Sequence, residues 1–185
     1  MTAQSLARTN TRFIGMLATV LLSAIPSISN ADTWELRTTP IAVPGTAEIE
    51  SGKIDKAVRL SIAWLPHVTD RKEVAVLSNL CIAHILKKEF ERAEDYCEQA
   101  VTTGDDEVVS YNNRGILRAM QGDFDGAAED FTVATEKGCN DGCSEVVFKD
   151  LKRPGAVAMR NRGRAEMLAQ AAIEADKNQV AANKD

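Results

Sequence analysis

The chain has 185 residues, of which 44% are apolar and 26% charged, with a formal net charge of −5. Length alone points to one domain, and the balance of apolar to charged residues excludes wholesale disorder. Two histidines leave few groups for acid–base chemistry near neutral pH, and the negative charge excludes a generic nucleic-acid-binding surface.

In chain order, Arg8 and Arg12 precede the uncharged run Phe13–Leu22, Pro26 breaks it, and Ser29-Asn30-Ala31 supplies small residues before a cut. That order of basic, apolar and small zones is expected of a secretory signal peptide spanning 1–31. The apolar run is short for a bilayer, which needs roughly 20 residues, and no later stretch is apolar enough to cross one. The mature chain is then Asp32–Asp185, exported, and periplasmic if the cell is Gram-negative. Residues 32–43, with Pro40 and Pro44 at or near their end, read as an extended segment.

Export gives the four cysteines a disulfide-permissive destination. Cys139-Asn140-Asp141-Gly142-Cys143 carries an Asp-Gly turn that could bring its two sulfurs together, so a local bridge is expected there. Cys81 and Cys97 fall on the two helices of one hairpin and face one seam. A bridge between them closes a loop of about 15 residues and is worth roughly 3 kcal/mol, provided the Cα atoms lie within about 7 Å. The alternative is two small buried hydrophobes. His84 shares the helix face of Cys81, but with Cys97 this makes three ligands, short of the four of structural zinc. No metal or cofactor is expected, and no nucleophile-elbow, phosphate-loop or paired-histidine motif marks an enzyme.

The segment from Val74 repeats from Val108 at an offset of 34 residues: Asn79 falls on Asn113, Phe90 on Phe124, Ala93 on Ala127 and Ala100 on Ala134, while Cys81 falls on Gly115 and Cys97 on Phe131. Phe90, Ala93, Cys97 and Ala100 step by 3, 4 and 3, as do Phe124, Ala127, Phe131 and Ala134. Such steps line one side of a helix. A hairpin of two such helices cannot bury its apolar face alone and must stack on neighbours. Ile54, Ala57, Ser61 and Trp64 repeat the steps upstream, and Met159–Gly163 echoes Tyr111–Gly115 downstream after an insertion at 142–155. Helix 156–175 then covers the open end, and 176–185 is a frayed tail.

The 34-residue period, the turn Gly122-Asp123-Phe124-Asp125-Gly126-Ala127-Ala128 and the small and aromatic positions around it resemble the tetratricopeptide repeat. The resemblance covers roughly 44–175, with repeats near 38–71, 74–107 and 108–141. It implies an all-α, right-handed solenoid of about three helical hairpins plus a capping helix, acting as a protein-interaction scaffold. It also implies a concave groove. Asn79, Asn113 and Asn161 occupy one groove position in three successive first helices, with Ser78, Ile82, Asn112, Ile116, Arg160 and Arg164 adjoining. Asparagine offers a donor and an acceptor to a peptide main chain, and arginine can hold a carboxylate at two points. The expected partner is another protein, presenting an extended peptide or a helix. Two other readings stand beside this one: a small cysteine-based redox or metal protein of the envelope, and a structural subunit assembling as a homo-oligomer through Ile54 and Trp64.

Overall fold

The computed structural model describes residues 34–104, 108–138 and 154–182. The expected signal segment, the Cys139–Cys143 pair and nearly all of the insertion lie outside them. Among the described residues the regular structure is entirely helical, as expected: α1 (Thr46–Glu50), α2 (Ile54–Trp64), α3 (Asp70–Lys87), α4 (Phe90–Thr103), α5 (Val108–Gln121), α6 (Phe124–Gly138) and α7 (Pro154–Ala182), with a 3₁₀ turn at Leu65–His67. Residues 34–43 run ahead of α1 without regular structure.

Three tight turns share one geometry. After α1, α3 and α5 the chain passes through a left-handed residue, respectively Gly52 (φ 73°), Lys88 (φ 59°) and Gly122 (φ 89°). In each, the amide of that residue bonds back three residues and the next amide bonds back five: Gly52 to Ile49 and Lys53 to Glu48, Lys88 to Ile85 and Glu89 to His84, Gly122 to Ala119 and Asp123 to Arg118. This pair of bonds satisfies two helix-end carbonyls and reverses the chain within a few residues.

The apolar steps of α4 and α6 point inward, whereas Trp64, which ends the upstream set, is exposed. Ala93, Cys97 and Ala100 of α4 and Ala127, Phe131 and Ala134 of α6 are fully buried. Helix α3 packs on α4, α5 on α6 and α6 on α7, while α5 also meets α3, α4 and α7. Gly138 and Gly155 let α6 and α7 touch backbone to backbone, since a Cβ on Gly138 would lie 2.7 Å from the Gly155 Cα. A buried carboxylate ties α5 to α6. Asp130 accepts from Arg114 Nε at 3.0 Å and Nη2 at 2.7 Å, and Arg118 stands 3.1 Å away. Arg114 also reaches Glu98 of α4 at 2.7 Å, and these acids hold its guanidinium protonated, overriding the opposing effect of burial.

Cys81 and Cys97 are bonded, with their Cα atoms 4.9 Å apart, so the bridge rather than the pair of free thiols is realised. It joins α3 to α4. Helix α7 extends past the expected capping helix, and Asp176–Ala182 is helical rather than frayed. That stretch holds no glycine or proline and is rich in residues of good helix propensity, although it is exposed throughout.

Candidate functional site

Helices α3, α5 and α7 bring Asn79, Asn113 and Asn161 to one surface of the bundle, and all three are buried. What buries two of them is the chain's own segment 34–37. Asn113 accepts the Arg37 amide at 3.1 Å and donates to the Arg37 carbonyl at 2.8 Å. Asn161 accepts the Glu35 amide at 3.3 Å and donates to the Glu35 carbonyl at 3.4 Å. Asn112 adds a donor to that carbonyl at 3.1 Å, and its own Oδ1 accepts from Asn161 across the α5–α7 seam at 2.9 Å. The main chain of Glu35 and of Arg37 meets the asparagines on either side of a tight turn, in which the Leu36 amide donates to the Trp34 carbonyl at 3.2 Å.

Side chains fix the register. Trp34 is 6% exposed and stacks on Phe131 with ring centroids 6.0 Å apart. The Arg164 guanidinium lies over the Trp34 ring at 5.4 Å. Glu35 receives Arg160 at two points, 2.7 and 2.6 Å, and this charge-assisted pair holds its carboxyl below the usual range. Leu36 bridges the cluster around Phe131 and Ile116 and the cluster around Cys97 and Leu117.

The other residues expected to adjoin the asparagines divide by role. Ser78 is fully buried and bonds Ser110 at 3.1 Å, joining α3 to α5. Ile116 lies in the core beneath Trp34. Ile82 lines a cleft of about 1150 Å³ between α3, α1 and the segment 34–43, together with the half-exposed Leu86. Asn79 differs from its two counterparts. It donates to Thr46 Oγ1 at 3.0 Å, and its buried Oδ1 has no hydrogen-bond partner.

Sequence reasoning singled out the asparagines and arginines but missed Trp34, Glu35 and Arg37, the residues that contact them. The available signal was one bulky aromatic in an otherwise helix-poor leader, and nothing local says where such a segment docks.

Cys81 and Cys97 are consumed in their bridge, and His84 instead faces Glu89, Nδ1 to Oε2 at 2.8 Å, while stacking on Tyr96. No cluster of three or more metal-binding side chains occurs among the described residues. No described helix is long and apolar enough to cross a membrane. Comparison with family models, with curated proteins and with solved structures finds no match.

Proposed function

We propose that this chain is an exported protein-interaction module of tetratricopeptide type, a right-handed stack of about three hairpins and a capping helix that performs no reaction of its own. Its concave face takes a segment of another polypeptide in extended form. The observation that carries this reading is the pair of bonds between Asn113 and the Arg37 peptide group. A primary amide that donates to a carbonyl and accepts from the same residue's amide recognises main chain irrespective of side chain, and the same use recurs at Asn161. Export is supported by the Cys81–Cys97 bridge, since such bonds persist in oxidising compartments. A redox role for that pair is disfavoured by its burial, because exchange requires access to the sulfur.

The test is a photo-crosslinking residue placed at Leu86, on the cleft wall, in the protein as expressed in its own cell envelope. An adduct with a second polypeptide is expected there and not from Ile173, on the far part of α7. Equal labelling at both positions, or none at Leu86, would overturn the reading.

One observation favours a second reading, the structural subunit. Ile62 and Trp64 of α2 are 49% and 43% exposed. A stable homo-oligomer in light scattering that Trp64→Ala dissociates would support it.

A further inference from the structure

The groove is already occupied in cis, and its occupant describes the ligand. We propose that Trp34–Thr39 is a built-in pseudo-ligand, displaced by a segment of another protein that carries the same chemistry: an aromatic residue, then an acid, then an aliphatic residue, with the peptide groups of alternate residues offered to the asparagines. This rests on the interaction-module reading and adds what the groove selects and what keeps it closed.

Three features argue for a ligand-like fit. Phe131 and Arg164 both pack on the indole, and Trp34 is left 6% exposed. The carboxylate of the second position meets Arg160 at two points, a geometry that lysine or a neutral side chain on the ligand would not satisfy. The main chain is held at alternate residues by side chains of α5 and α7, with no β-ladder or helix joining the segment to the bundle.

A fourth feature explains how an outside segment can win. The third rung is incomplete. Continuing the alternation from Glu35 and Arg37 would bring residue 39 to Asn79, but Asn79 turns its donor to Thr46 and leaves a buried Oδ1 without a donor. The cis segment leaves the line because Pro40 and Pro44 lead it into Gly45 (φ 102°) and α1. An external segment has no such tether. Its next alternate residue is free to approach the third asparagine and donate an amide to that oxygen, a bond the cis segment forgoes. Against this stands the tether itself, which keeps the cis segment at a high effective concentration and lowers the apparent affinity of any competitor.

The experiment uses the full chain, ¹⁵N-labelled, and an unlabelled peptide of the sequence from Trp34 to Pro40 extended by two alanines. Excess peptide should shift the Glu35 and Arg37 amide resonances of the protein while leaving those of α4 in place. The full-length variant Trp34→Ala/Glu35→Ala, with its cis segment weakened, should bind the fluorescein-labelled peptide at least tenfold more tightly than the wild type. A peptide with its Trp and Glu both replaced by Ala should bind neither. The inference is overturned if the substituted peptide binds equally, or if the folded variant binds no peptide. Should the variant fail to fold, wild-type resonances of Glu35 and Arg37 that stay fixed under excess peptide overturn it on their own. A wild-type dimer that the peptide dissociates would assign the groove to segments exchanged between two copies, and would overturn closure in cis. A Leu86 adduct without peptide binding would retain the interaction module and remove only this inference.

Discussion

Asn113 holds Arg37 by both ends of one residue's main chain, accepting its amide at 3.1 Å and donating to its carbonyl at 2.8 Å. The contact joins positions 76 apart in sequence and lies under a side chain with no exposure of its own. Substitution Asn113→Ala removes both bonds, each worth about 1 kcal/mol, and leaves the Arg37 peptide without its partner. A loss of about 2 to 3 kcal/mol is expected in urea unfolding. At about 2–4 °C per kcal/mol for a chain of this size, melting falls by roughly 4–12 °C. An unchanged midpoint would mean that the 34–37 segment contributes nothing to the free protein.

The Glu35–Arg160 pair makes docking of the segment sensitive to acid. The Arg160 hydrogen bond draws the Glu35 carboxyl below its ordinary value of 4.5. A lowered folded-state value means that the pair stabilises the docked segment above that ordinary value and loses this contribution as pH falls through the lowered one. The effect is small because the Glu35 side chain is 46% exposed and solvent screens it. Amide exchange at Glu35 and Arg37 should therefore depart from its intrinsic pH dependence below about pH 4.5 in the wild type. In Glu35→Gln that departure should vanish.

Two neighbouring hairpins fill the same place by different means. Cys81 and Cys97 are bonded where, one repeat later, the Phe131 ring lies against Gly115. Replacing both cysteines by Ala removes a cross-link between residues separated by 16 positions and should cost about 3 kcal/mol in chemical denaturation. Gly115→Ala should destabilise by about 1–3 kcal/mol, since its Cβ would stand 2.7 Å from a Phe131 ring carbon. Calorimetry of both variants beside the wild type checks the pair, and a neutral Gly115→Ala would show that the ring can retreat.

Lys88 occupies a left-handed position that glycine fills at 52 and 122. A side chain there costs on the order of 1 kcal/mol relative to glycine. Lys88→Gly should raise stability by about 0.5–1 kcal/mol without altering the two turn bonds. A decrease would show that the lysine side chain makes a stabilising contact that outweighs the backbone strain.

The helical class was readable because steps of 3 and 4 recur through Phe90, Ala93, Cys97 and Ala100, and again through Phe124, Ala127, Phe131 and Ala134. The seam positions of Cys81 and Cys97 allowed a bridge but could not decide for it, because bonding depends on how closely the two helices approach. Asn79 and Asn113 stood out by their 34-residue period, and Asn161 by the echo of Tyr111–Gly115 in Met159–Gly163. Their occupant did not. Trp34, Glu35 and Arg37 belong to a segment without periodicity, and its docking depends on contacts up to 126 residues away. The helical continuation through Asp176–Ala182 was hidden because an exposed stretch leaves no apolar stripe to read.

The strap formed by Trp34–Arg37 also changes how the molecule comes apart. A row of hairpins that touch only their sequence neighbours behaves as a chain of weakly linked units, and its last helix can peel away while the rest stays folded. Here the residues that precede α1 lie across α5 and α7, and Trp34 stacks on Phe131 of α6. Helix α7 cannot leave without surrendering Glu35, and the strap cannot lift without exposing Ile116 and Phe131. The segment before α1 and the last described helix are thereby buckled together, and the helices between them should lose their structure in one step.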